Sequence, residues 1–95
     1  MPYIQQGAQW AVLKQHTRQI GLQVRSAGDL NFAITSILDE WLINHGISYS
    51  NLSMLIATLE CAKLEMYRRI IAPYEDVKCE ANGDAYTGGY WNVQS

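Results

Sequence analysis

The chain has 95 residues, of which 48% are hydrophobic and 17% charged, and its formal net charge is −2 at pH 7. This length fits a single domain, and the charged share lies below the usual value of about 25%. The slight negative charge excludes a strong general attraction to nucleic acid or to an anionic membrane. No apolar stretch approaches the ~18 residues of a spanning helix, and the N-terminus lacks a signal-peptide pattern.

Aromatic residues are numerous for so small a chain, with three Trp and six Tyr. Together with the low charge, they leave more apolar area than a domain of this size can cover by itself. We therefore predict a homo-oligomer. Cys61 and Cys79 form neither a CxxC pair nor a disulfide framework, so we expect reduced thiols in a cytoplasm.

The first predicted helix runs from Ala8 to Arg25. Its apolar residues recur at spacings of 3 and 4 and form one apolar seam. The members of this seam are Trp10, Leu13, Thr17, Ile20 and Val24. A basic strip beside it consists of Lys14, Arg18 and Arg25. We interpret the strip as solvated surface, unless it meets other cationic residues across a symmetric interface. Gly21 is either tolerated inside the helix or marks a close backbone approach.

The second predicted helix follows a break at Gly28, with Asp29 as N-cap and Gly46 as an αL stop. Its main apolar face comprises Leu30, Ile34, Ile37, Leu38, Trp41 and Leu42. Phe32 and Ile43 project to the opposite side and form a second patch. Two opposed patches need two contacts, whereas a three-helix monomer readily supplies one. This pattern is the main support for the predicted oligomer.

The third predicted helix runs from about Ser50 to Ala72. Pro73 either ends it or opens a further short helix at that helix's N1 position, because proline lacks the amide hydrogen that a helix interior needs. Asn82 and Gly83 then close the short helix or make a turn. The predicted fold class is accordingly all-α, a small bundle of three helices plus a short C-terminal helix.

An extended aromatic tail follows, containing Tyr86, Tyr90 and Trp91. Three large aromatic side chains are unusual in a flexible segment, so we expect the tail to pack on its own or a neighbouring subunit. The predicted organisation is one helical domain, residues 1–86, and a tail, residues 87–95.

Two charged residues, Glu60 and Lys63, fall inside the wide apolar arc of the third helix. An isolated charge buried there would cost several kcal/mol. One interpretation is an i,i+3 ion pair whose lysine reaches solvent. The other is a polar element inside an interface or pocket.

The next turn contains Tyr67, Arg68 and Arg69, and Tyr74 follows the proline. Arginine binds phosphate through a planar fork, and a tyrosine ring can stack on a base, so this group fits a nucleotide-sized site. Ion pairing of both arginines with Glu65 inside the helix is the alternative interpretation.

Catalytic and metal-binding patterns are absent from the sequence. His16 and His45 are isolated, and no HExxH, GxSxG, P-loop or GxGxxG motif occurs. We expect no enzyme, no cofactor and no metal site. Seven basic against nine acidic residues also disfavour a nucleic-acid-binding protein.

Five segments carry a family resemblance. They are MPYI at residues 1–4, GDLN at 28–31, GISY at 46–49, LECAKLEMYRRIIAPYED at 59–76 and NGDAY at 82–86. Together they resemble a family of short uncharacterised proteins that tailed bacteriophages encode. The resemblance spans residues 28–86 and the first four, while residues 5–27 and the tail depart from it. It implies a phage origin and the cytoplasm of an infected bacterial host, but no activity.

In size and layout the chain is also similar to small phage proteins that sequester cyclic-nucleotide immune signals as oligomeric helical hairpins. The leading hypothesis is therefore an accessory protein that captures a small anionic nucleotide at an oligomer interface. The ligand-binding residues would be Lys63, Arg68 and Arg69 for phosphates, Tyr67 or Tyr74 for stacking, and Asn31 and Thr35 for hydrogen bonds. The interface residues would be Phe32, Ile43, Glu60 and Trp91. The alternative is a virion structural component or an adaptor that inhibits a host protein.

Overall fold

Helices make up most of residues 3–90, the part of the chain that the computed structural model describes, and this part contains no strand. The all-α class is confirmed. The helices are α1 (Ala8–Gln23), α2 (Ala27–His45), α3 (Tyr49–Met66), a π turn (Tyr67–Ile71) and α4 (Ala72–Asn82). The chain divides into two compact units between Asn51 and Leu52, and each is described by itself.

Helix α1 ends two residues before the predicted Arg25. The Val24 amide makes the last helical bond, to the Ile20 carbonyl at 2.9 Å. The next amide, of Arg25, donates instead to the Asp29 carboxylate at 3.2 Å, so it cannot continue the helix. A Cβ added at Gly21 would meet nothing within 4 Å. Within the chain, Gly21 is thus tolerated and does not mark a close approach.

Helix α2 begins earlier than predicted, because its N-cap is Ser26 and not Asp29. The Ser26 hydroxyl accepts from the Asp29 amide at 3.0 Å, while the Asp29 carboxylate reaches back to Arg25. This reciprocal arrangement resembles a capping box, and such caps stabilise a helix by about 0.5–2 kcal/mol. Gly28 lies inside the first turn, so the break expected there is wrong.

Gly46 ends α2 with φ 88° and ψ 160°. The positive φ was expected, but ψ places the residue outside αL, in a region that is almost exclusive to glycine. The Asn51 side chain donates to the Gly46 carbonyl at 2.8 Å, and the Ser48 hydroxyl accepts from the Asn51 amide at 3.0 Å. These bonds hold the connection and let α3 start at Tyr49, one residue before the prediction.

The predicted continuous third helix is interrupted by the π turn. The Ala72 amide donates to the Tyr67 carbonyl, five residues back, and Pro73 lies in the first turn of α4. In a regular α-helix the proline ring would clash with the carbonyl of Arg69. The wider π turn relieves this clash. A new helix starts beside the proline, as one of the two interpretations expected, but Pro73 is its second residue and Ala72 its first. Gly83 then closes α4 at φ 93°.

A packed core is not found within residues 3–90, because no side chain there is fully shielded from solvent. Trp10, Ile20 and Trp41 are half-buried, whereas Phe32 is 74% and Ile43 is 67% exposed. Both members of the second patch on α2 are therefore largely exposed in the isolated chain. None of the described helices is long and apolar enough to span a bilayer.

Candidate functional site

The second unit carries the predicted cationic cluster, Lys63, Arg68 and Arg69, on α3 and the π turn. Lys63 Nζ lies 3.3 Å from Glu60 Oε2, and the two side chains are 70% and 56% exposed. The i,i+3 ion pair expected from the sequence is therefore formed, with its lysine in solvent. An interface role for Glu60 stays a prediction.

Glu65 binds both arginines of this cluster. Arg68 Nη2 lies 3.1 Å from each Glu65 carboxylate oxygen, and Arg69 Nη1 lies 3.7 Å from Oε2. The intrahelical pairing that the sequence offered as the alternative to a phosphate site is thus present. Two guanidinium groups share one carboxylate, so the trio keeps a net positive charge. Exposed ion pairs contribute at most about 1 kcal/mol, so a multivalent anion could compete with Glu65 for these arginines.

Tyr67 is tied to α4 across the π turn. Its hydroxyl donates to Glu75 Oε1 at 3.1 Å, and the side chain remains 50% exposed. This hydrogen bond, followed by the negative charge of Glu75, raises the pKa of Tyr67 above its usual value. A phenol held in this way is poorly placed to stack on a ligand base.

Tyr74 is the better stacking candidate, because its side chain is 62% exposed. Lys78 Nζ lies 5.6 Å from the Tyr74 ring centroid, a cation–π distance. Lys78 is a cationic residue beside the predicted site that the sequence interpretation missed. Its spacing four residues after Tyr74 was the available signal.

The remaining predicted ligand-binding residues, Asn31 and Thr35, lie on α2 in the first unit and are exposed. Their participation in a ligand site stays a prediction. Tyr86 and Tyr90 contact each other edge-to-face, with ring centroids 6.4 Å apart. Trp91, the other predicted interface aromatic, lies outside the described residues.

A groove of about 540 Å³ lies between α1 and α2 within the first unit. Its lining residues are Ile20, Gln23, Val24, Asp29, Phe32, Ala33, Ser36, Ile37 and Glu40. Phe32, which was predicted to lie at an interface, lines this groove. None of the ligand-binding residues predicted from the sequence lines it. Asp29 and Glu40 supply carboxylates, and the lining contains no lysine or arginine. The groove therefore favours an apolar, cationic occupant over an anion.

Among residues 3–90, no group of three or more His, Cys, Asp or Glu side chains is placed to hold a metal ion.

A family model described as Domain of unknown function (DUF6899) matches residues 1–85. The chain belongs to this family. The DUF6899 match also includes residues 5–27, which lie outside the segments that carried the sequence resemblance. The DUF6899 domain thus contains α1, the groove and the cationic cluster. No curated protein and no solved structure matches the chain.

Replacing Glu75 with Gln will lower the pKa of Tyr67 toward the ordinary value of about 10, because the negative charge is removed and the amide oxygen is a weaker acceptor than the carboxylate. The raised pKa means that the neutral phenol stabilises the folded chain. This contribution is present below about pH 10 and is lost as pH rises through the raised pKa. Titration of the tyrosine ring resonances by NMR measures the shift. Asp76→Asn is the control, because the charge of Asp76 affects the pKa of Tyr67 less than Glu75 does. An unchanged Tyr67 pKa in Glu75→Gln contradicts the hydrogen bond between Tyr67 and Glu75.

Proposed function

We propose that the chain is a non-enzymatic, self-associating helical protein whose exposed apolar faces bind copies of itself. The supporting observation is that no described side chain is buried, while large apolar residues on the helices are mostly exposed. Phe32 and Leu22 are 74% and 75% exposed, on α2 and α1 respectively. The second unit has Ile56 and Ile70, at 67% and 61%.

Helices α1, α2 and α3 have 16, 19 and 18 residues. Ordering each residue costs about 1–2 kcal/mol of backbone entropy, and isolated helices of this length are marginal in water. Burying one Leu, Ile or Phe side chain contributes about 1.5–3 kcal/mol. Helices of 16–19 residues with no buried side chain therefore need a further apolar surface. A second copy of the chain offers such a surface, because it exposes the same apolar residues.

Sedimentation equilibrium of the purified chain tests this proposal. We expect a defined oligomer with a dissociation constant below about 10 µM, equivalent to roughly −7 kcal/mol. A single species with the mass of one chain at 100-fold higher concentration contradicts it.

The family resemblance supports a further proposal, that the protein comes from a tailed bacteriophage and acts in the host cytoplasm. Abundant copies in purified virions would favour a structural role over a free adaptor.

A second proposed function is capture of a small anionic nucleotide by Lys63, Arg68 and Arg69. It is supported by the net positive charge that remains when two exposed arginines share Glu65. Tyr74 would stack on the base, and an oligomer would bring a second cluster to the same ligand. A sequestered cyclic-nucleotide immune signal fits this chemistry, because it offers phosphates to the arginines and bases to the tyrosine.

Calorimetric titration with cyclic di- and trinucleotides and cyclic ADP-ribose isomers tests the second function. Each lost charge-assisted hydrogen bond contributes about 1.5–3 kcal/mol, so Arg68→Ala and Arg69→Ala should each weaken binding by roughly 10- to 100-fold. Arg25→Ala removes a basic residue outside the cluster and serves as the matched control. The absence of heat with every ligand, in a sample that is oligomeric, contradicts capture and leaves self-association standing.

A further inference from the structure

Charges of opposite sign are segregated between the two helices of the first unit. The described α1 and the connection after it carry the basic strip, Lys14, Arg18 and Arg25, and no acidic residue. Helix α2 carries Asp29, Asp39 and Glu40 and no lysine or arginine. Within one unit, one helix is therefore purely basic and the other purely acidic at neutral pH.

The groove carries the acidic half of this pattern. Its apolar lining includes Ile20, Phe32 and Ile37, and Glu40 lies among them. In the part of the chain that the structure describes, the ion pairs join Glu60 and Glu65 to the cationic cluster of the second unit. Glu40 is not among the paired acids, so its carboxylate is available to a cation that enters the groove.

The basic half supplies a matching segment. Ile20 is the seam residue of α1 that lines the groove together with Val24. The rest of the seam lies toward the N-terminus and does not line the groove of its own chain; it consists of Trp10, Leu13 and Thr17. Leu13 is 46% exposed. Lys14 and Arg18 flank this half of the seam and take part in none of the ion pairs of residues 3–90.

We propose that the groove binds the N-terminal half of α1 from a second copy of this chain. Trp10 and Leu13 of that copy fill the apolar lining, and its Lys14 or Arg18 pairs with Glu40. The contact is isologous: each copy offers both a groove and a helix, so the ion pair forms twice across a two-fold axis. This inference rests on the proposed self-association and names its surface.

Other occupants fit less well. A nucleotide would place its phosphates beside Asp29 and Glu40 with no basic side chain in the lining. A second copy's α2 would bring like charges together. The cationic cluster of the second unit is already paired with Glu60 and Glu65, whereas the basic strip is not. Lys78 of the second unit lies over the Tyr74 ring. The N-terminal half of α1, by contrast, combines apolar residues with two cations that take part in no ion pair of residues 3–90.

Charge reversal with mixing tests the proposal on the full chain. One variant is Glu40→Lys, and the other combines Lys14→Glu with Arg18→Glu. Each alone places like charges in both grooves, so we expect its self-association to weaken by about 10-fold or more at low salt. In an equimolar mixture, the dimer that contains one copy of each variant again places opposite charges in both grooves. The mixture should therefore associate within about threefold of the unaltered chain.

Glu80→Lys, an equal charge change on exposed α4, is the control and should leave association unchanged. Sedimentation equilibrium gives the dissociation constants, and circular dichroism checks that every variant stays helical. Charge-reversed variants that self-associate like the unaltered chain, or a mixture that stays dissociated, overturn the groove assignment alone. An unaltered chain that sediments as a monomer overturns this inference and the proposed self-association together.

Discussion

The variant Phe32→Asp will sediment as a monomer at concentrations where the unaltered chain is associated. Phe32 is 74% exposed in the isolated chain and lines the groove. Burial of a phenylalanine contributes about 1.5–3 kcal/mol, and a two-fold contact loses this twice, so association should weaken by roughly 100-fold or more. A new carboxylate beside Asp29 and Glu40 adds repulsion and a desolvation cost.

The isolated chain should tolerate this substitution, because the side chain packs little within its own unit. Helicity by circular dichroism should therefore stay close to that of the unaltered chain once both are dilute. Ile47→Asp is the matched control: Ile47 is 78% exposed in the connection between α2 and α3, outside the groove. If Phe32→Asp sediments like the unaltered chain, Phe32 is not part of the contact.

Alanine at two glycines should change stability in opposite directions. Gly46→Ala forces a side chain into φ 88° and ψ 160°, which costs on the order of 1–3 kcal/mol. A Cβ there meets nothing within 4 Å, so the loss comes from the backbone alone. Gly21→Ala replaces a glycine inside α1, also without a clash, and should stabilise the helix by about 0.5–1 kcal/mol.

Urea unfolding followed by circular dichroism at one fixed concentration measures both changes. Holding the concentration fixed matters because association contributes to the apparent stability. A Gly46→Ala variant as stable as the unaltered chain would contradict the conformation assigned to that connection. A loss of stability in Gly21→Ala would indicate that another backbone approaches Gly21 in the assembly, the second interpretation that the sequence allowed.

Local signals in the sequence predicted the helices well. The recurrence of apolar residues placed α1, α2 and α3, and Gly46 and Gly83 marked two helix ends. The N-cap of α2 was misplaced because Ser26 and Asp29 are both good capping residues, and their reciprocal bonds make them one motif. The π turn has no pattern of its own, and Pro73 was compatible with either of two local structures.

Of the candidate sites, the sequence predicted the one that depends on spacing within a helix and not the one that depends on the placement of two helices. Ion pairs of Lys63, Arg68 and Arg69 with Glu60 and Glu65 depend on spacing within one helix, so they could be predicted. The groove depends on how α1 and α2 are placed around their short connection, which periodicity does not contain. The segregation of charge between these helices was visible in the sequence, but it becomes informative only once Glu40 is located in the groove.

The π turn shifts the angular register of everything that follows it. Tyr67 and Glu75 are eight positions apart, which on an uninterrupted α-helix would leave them about 80° out of line. A π turn absorbs roughly one extra residue, so the pair behaves as if seven apart and falls within about 20° of the same line. The phenol-to-carboxylate bond across Pro73 is thus a product of that single additional residue. A helical wheel drawn from Tyr49 to Asn82 without the π turn would therefore misplace the residues of α4 by about 100°.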